Sequence, residues 1–133
     1  MTGARNSFKL TPIGVIRSEY SLENAPMQGF ESEKTSKIII FDKYTKALEG
    51  IKKYDYLIVL YWMHQSDRTQ LWSKLKNRDI FTTRSPRRPN PIGISYVKNL
   101  KINGNTLEVK YLDVIDGTPI LDIKPYYKEV DAR

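Results

Sequence analysis

The 133-residue sequence contains no cysteine and a single histidine, His64. Without cysteine there is no disulfide framework, no thiolate nucleophile and no zinc ribbon. One histidine also excludes the usual multi-histidine metal sites, so no bound metal is expected. Long apolar runs are lacking too. The longest, Tyr56 to Met63, falls far short of the ~20 residues that span a bilayer. Met1 to Leu10 holds no apolar stretch of signal-peptide type. No glycine-rich phosphate loop follows a strand-like segment, so a Rossmann or Walker-type site is not indicated. What remains reads as a soluble, cytoplasmic protein with no membrane partner. Its length suits one domain, and 40% apolar residues suffice for a core.

Acidic charge is scarce in one quarter of the chain. The net charge is +7, yet Arg68 to Lys101 alone carries nine basic residues against the single acid Asp79. A concentrated basic segment is the footprint of a polyanionic partner, nucleic acid first among them. The plainer alternative is a solvated surface that keeps the protein soluble.

Short β-prone segments dominate the pattern. Phe8 to Tyr20 reads as a strand region, with Pro12 tolerated near its start. Glu23 to Glu33 reads as an irregular polar loop, and Lys37 to Phe41 as a buried strand. Asp42 is a plausible helix N-cap, followed by Tyr44, Ala47, Leu48 and Ile51 at amphipathic spacing, with Gly50 as the stop. Asp55 to Met63 should be the central strand. Thr69 to Asp79 is ambiguous, with a helical turn around Leu71, Trp72 and Leu75 as one reading. Gly93 to Ile102 and Thr106 to Val114 flank Asn103-Gly104-Asn105, a strong hairpin signal. The fold class expected is mainly β. An antiparallel or mixed sheet would curl or close into a barrel that leaves no bare edges.

Three segments look over-specified for folding alone. In Thr83 to Gly93, Pro86, Pro89 and Pro91 fix the backbone as a stiff, non-helical ribbon that holds Arg84, Arg87 and Arg88 in place. Arginine's planar fork suits phosphate or carboxylate. A PxxP ligand for an SH3-type groove is the competing reading. The second segment is His64-Gln65 at the exit of the most apolar strand. There Tyr61, Trp62 and Met63 could wall an aromatic pocket, although a lone histidine is often only structural. The third is Asp113-Val114-Ile115-Asp116-Gly117-Thr118-Pro119, followed by Asp122 in Leu121 to Tyr126. It reads either as turn chemistry or as carboxylates that receive ligand hydroxyls or amines.

Taken in order, TPIGVIRSEY, APMQG, ALEGIKKYDYLIVLYWMHQ, FTTRSPRRPNPIGIS and YLDVIDGTPILDIKPY resemble the TrmO/TsaA-like family of tRNA methyltransferases. The resemblance runs from about Leu10 to Asp131. It implies a compact β-barrel with a few short peripheral helices, occupying 1–133 as one domain without the C-terminal extension of some relatives. It also implies S-adenosylmethionine as cofactor, tRNA as partner and a homodimer. The reaction implied is methylation at N6 of a threonylcarbamoyl-adenosine beside the anticodon.

Carried over residue by residue, the cofactor positions are Met27, Gln28, Gly29, His64, Gln65, Arg84, Ile94, Val114, Ile115, Asp116 and Gly117. Arg84, Arg87, Arg88 and Asn90 are the candidates for holding tRNA or the threonylcarbamoyl carboxylate. Asp116 is the one candidate for a catalytic role. Methyl transfer from a sulfonium needs neither metal nor covalent intermediate, and Tyr61, Trp62 and Tyr96 are expected to offer aromatic faces to the cation.

Overall fold

The computed structural model describes residues 7–21, 34–63 and 68–133. Its main strands are β1 (Gly14–Arg17), β2 (Thr35–Ile40), β3 (Tyr56–Trp62), β6 (Ile92–Asn103), β7 (Thr106–Lys110) and β8 (Pro119–Pro125). They close into an antiparallel barrel in the order β1-β2-β7-β6-β3-β8, with β8 returning to β1. A separate two-residue pair, β4 (Trp72–Ser73) and β5 (Arg78–Asp79), lies in the chain between β3 and β6. One α-helical turn, α1 (Lys128–Asp131), follows the barrel.

Strand periodicity of two explains the core. Ile16, Ile38, Ile40, Leu57, Val59, Val97, Leu107, Val109 and Ile120 point inward from six strands and are almost fully buried. Closure removes the exposed edges that such apolar strands would otherwise present. The expected hairpin is present: Asn103 pairs with Thr106 across a two-residue turn at Gly104-Asn105, where Gly104 takes φ +64°. The most apolar segment is indeed central, as β3 is paired to β6 on one side and β8 on the other.

Three expectations change. The strand region Phe8 to Tyr20 shrinks to β1, with Tyr20 keeping only an isolated bridge to Ile115. The helix from Asp42 is a 3-10 helix over Asp42–Leu48, entered from Phe41 and without a side-chain cap. Tyr44, Leu48 and Ile51 do pack on the core, while Ala47 is exposed. Seven residues held by so few apolar contacts settle into tighter turns rather than a full α-helix. The ambiguous stretch Thr69 to Asp79 contains the β4–β5 hairpin, with Asn77 at φ 54° in its turn. Pro119–Pro125 is also a strand, although its sequence drew attention only as a turn and a carboxylate. Pro119 begins it, where no ladder N–H is lost by proline.

Candidate functional site

The site begins at the far end of β3. Tyr61 stands opposite Gly93 in the β3–β6 ladder, and the β3–β8 register shifts between Leu60 and Tyr61. Such a bulge re-aims side chains at the rim of a barrel. A Cβ on Gly93 would collide with the Tyr61 ring, so the glycine supplies the space in which the ring lies. The phenol oxygen then reaches Ser95 Oγ at 2.9 Å. Burial pushes the Tyr61 pKa up, and the Asp113 carboxylate adds to the rise. The Ser95 hydrogen bond and the Arg84 guanidinium oppose it. The Arg84 guanidinium and the Asp113 carboxylate thus both act on the Tyr61 phenol.

Around these groups lies an open cavity of about 1060 Å³. Its lining includes Tyr61, Gly93, Ser95 and Asp113, together with Ile92 and Ile94, which point to the other face of β6. Lys74, Lys76, Arg78, Arg84, Arg87 and Arg88 give it a basic surround, and Asp113 is the only acid lining it among the described residues. Both Asp113 carboxylate oxygens are buried without a hydrogen-bond partner.

The proline-rich ribbon is fixed by its own side chains. Thr83 Oγ donates to Ile80 O at 2.7 Å, and the Ser85 and Arg87 amides donate to Thr83 Oγ and Ser85 Oγ, each at 3.2 Å. Arg88 Nη1 donates to the carbonyls of Thr83 at 2.8 Å and Ser85 at 3.2 Å, while its guanidinium lies 6.0 Å from the Phe81 ring centroid. Arg68 does the same at the other end. Its Nε donates to Pro89 O at 2.8 Å and its Nη2 to Asn90 Oδ1 at 3.2 Å, with the guanidinium over Trp62. Arg84 and Arg87 are the exposed arginines of the ribbon. Arg88 and Asn90 are thus engaged in holding the loop.

The acidic turn divides in a similar way. Asp116 Oδ1 accepts the Ser18 amide at 3.0 Å, and its Oδ2 stands 3.6 Å from Arg17 Nη1. The Gly117 amide donates to Ile16 O at 2.8 Å, and Val114 belongs to the core. These contacts tie the turn to the end of β1. Ile115 lines the cavity; Val114, Asp116 and Gly117 do not.

The cavity therefore gathers Arg84, Ile94 and Ile115 of the expected cofactor set, and Arg84, Arg87 and Arg88 of the expected tRNA set. Met27, Gln28, Gly29, His64 and Gln65 lie outside the described residues. Of the aromatic faces, only Tyr61 lines the cavity. Trp62 lies under the Arg68 guanidinium, and Tyr96 packs edge-on against Tyr126 at 5.8 Å. Ser95 is a site residue that the sequence does not single out; Asp113 figures there only among the carboxylates of the acidic segment, outside the cofactor set. The sequence signal for Asp113 was an aspartate set among apolar neighbours; Ser95 is placed by the β3–β6 register. No cluster of three or more metal-ligating side chains occurs among the described residues.

Known proteins share this sequence and shape. Residues 15–132 match the family model described as tRNA-methyltransferase O N-terminal domain. An S-adenosyl-L-methionine-binding protein of Archaeoglobus fulgidus is 45% identical over 128 residues, covering 92% of this chain and 92% of its own. A probable S-adenosyl-L-methionine-binding protein of Methanothermobacter thermautotrophicus is 41% identical, covering 93% of each chain. Among solved structures, one of TrmO superposes with a TM-score of 0.84 at 31% identity over 96% of this chain. A Pseudomonas aeruginosa TrmO superposes with a TM-score of 0.80 at 30% identity, also over 96%. This chain spans 61% and 59% of those two TrmO chains.

Proposed function

The chain belongs to the tRNA-methyltransferase O N-terminal domain family, and on that footing we propose an S-adenosylmethionine-dependent methyltransferase acting on tRNA. Its substrate is threonylcarbamoyl-adenosine beside the anticodon, methylated at N6. The observation that carries this reading is the cavity at the Tyr61 end of β3, basic around its wall and holding one buried, unpartnered carboxylate.

The residues present suit the cofactor. S-adenosylmethionine combines a carboxylate with cationic groups, and this cavity offers Arg84 to the first and Asp113 to the second. Ile94 and Ile115 supply apolar wall. The turn Val114 to Gly117 holds Ile115 in place, and Met27, Gln28, Gly29, His64 and Gln65 complete the set. When bound, the cofactor supplies an electrophilic methyl group. The protein's part is to fix the acceptor nitrogen in line with it. Held reactants gain roughly 7–11 kcal/mol over free ones, which suits a reaction needing no covalent intermediate. Arg87 faces RNA phosphate or the threonylcarbamoyl carboxylate, which arginine's fork matches.

The protein works in the cytoplasm as a homodimer. Supporting the dimer, Ile92, Ile94 and Tyr96 form an apolar strip on the outer face of β6, each between 37% and 42% exposed. Two of them also line the cavity, so a second copy seated there would narrow it.

The test is a nucleoside assay. The protein is incubated with cofactor and tRNA, with or without the threonylcarbamoyl group, and the digested nucleosides are read by mass spectrometry. A methyl mass gain on threonylcarbamoyl-adenosine is expected. Gain only on unmodified tRNA, or on a small acidic metabolite instead, would overturn the substrate. Cofactor binding without any transfer would indicate a non-catalytic RNA-binding barrel.

A further inference from the structure

Among the described residues that line the cavity, only Asp113 has buried side-chain polar atoms left without a hydrogen bond. Both carboxylate oxygens are buried without a hydrogen bond, and Asp113 makes no ion pair among the described residues. The other acids of this region are satisfied: Asp116 holds the Ser18 amide, and Asp122 pairs with Lys124 at 2.8 Å. An unpaired buried carboxylate is costly unless something arrives to pair with it. The exposed Arg84 guanidinium, although it also lines the cavity, makes no hydrogen bond to either Asp113 oxygen. Its neighbour Tyr61 already shares its hydroxyl with Ser95.

We infer that Asp113 is the counter-ion for the sulfonium of the bound cofactor, and that it distinguishes the charged cofactor from the spent, neutral thioether. The inference rests on the cofactor reading above and extends it to a residue outside the expected cofactor set. The cavity's basic groups favour anionic parts of any ligand. Asp113 alone among its described lining residues favours a cation, and a desolvated setting strengthens that preference. Once the methyl group is gone the sulfur carries no charge, and the carboxylate is again without a partner. The arrangement therefore weakens binding of the product relative to the cofactor, which promotes exchange.

Two cofactor analogues test this by binding alone. Sinefungin carries an ammonium group in place of the methylated sulfonium; S-adenosylhomocysteine is neutral at that position and otherwise closely similar. Calorimetric titration of the wild-type protein should show sinefungin bound roughly tenfold more tightly, the scale of one partly screened charge pair. In Asp113→Asn, which keeps size and removes charge, that ratio should fall to within about twofold. Asp113→Glu should retain the preference. An unchanged ratio in Asp113→Asn overturns the inference, including the case where both ligands weaken equally, which assigns Asp113 to a group they share. A wild-type ratio near unity overturns it without any variant, so a poorly folding Asp113→Asn does not shield it. If neither analogue binds the wild type, the cofactor reading itself fails.

Discussion

Gly93 stands directly across the β3–β6 ladder from Tyr61, and the side chain it lacks is the space that the Tyr61 ring occupies. This pairing links a motif residue of the proline-rich ribbon to the buried phenol at the cavity wall. It also lets the phenol oxygen reach Ser95, two residues further along β6.

Gly93→Ala should therefore force the ring from its place. The expected cost is about 1–3 kcal/mol, the usual penalty for overpacking, read by urea denaturation. In a Tyr61→Ala background the same substitution should cost much less, because the ring is gone. Additive costs in the double variant would show that the two residues do not share this space.

Tyr61 should also leave a mark on alkaline stability. Burial holds its folded pKa above the ordinary value of 10.0. As pH rises through and above that value, the unfolded chain releases the phenol proton while the folded chain retains it. The unfolded state then binds fewer protons, so stability falls with rising pH until the folded pKa is passed. Tyr61→Phe lacks this loss. It should be less stable near neutrality by about 0.5–1.5 kcal/mol, for the Ser95 hydrogen bond, yet decline less steeply above pH ~10. Parallel alkaline declines in the two proteins would count against the buried phenol.

The ribbon's arginines should separate in function. Arg88 spends Nη1 on the carbonyls of Thr83 and Ser85, so Arg88→Ala should loosen the loop and lower thermal stability. A loss of about 1–3 kcal/mol is expected, as for hydrogen bonds from a charged donor. Arg87 is exposed and lines the cavity. Arg87→Ala should leave stability within about 0.5 kcal/mol and flatten the log-affinity against log-salt slope for tRNA by about 1. An unchanged slope would return Arg87 to the role of a solvated surface charge.

Asp116 presents the opposite case from Asp113. Its carboxylate receives the Ser18 amide and approaches Arg17, holding the acidic turn to the end of β1. Asp116→Ala should destabilise by about 0.5–1.5 kcal/mol, read by chemical denaturation, because an amide loses its acceptor. A loss of turnover with stability intact would instead support a direct catalytic part for Asp116.

The sequence by itself determined a great deal. Period-two alternation at Leu107 and Val109, and the continuous apolar runs that became β2 and β3, committed these segments to buried strands. Asn103-Gly104 specified the hairpin, because a two-residue turn needs a residue tolerant of positive φ. The prolines of residues 86–91 announced a stiff ribbon, and the absent cysteines with one histidine ruled out thiolate chemistry. Ordered motifs carried the family resemblance. Local signals succeed where the cause is local: an alternation, a turn residue or a fixed φ.

Tertiary structure decided what local signals could not. Whether Asp113 or Asp116 is left unpartnered depends on β1, which brings Ser18 and Arg17 to Asp116 from almost a hundred residues away in sequence. Whether an arginine meets a ligand or a loop carbonyl depends on how the ribbon folds back on itself, as it does at Arg88. The three aromatic faces expected at the site became one because Trp62 lies under Arg68 and Tyr96 packs against Tyr126. A sequence carries the alternation of a strand. It does not carry the register with its neighbours, and that register put Tyr61 over Gly93 with Asp113 beside it, in a cavity that no single segment encodes.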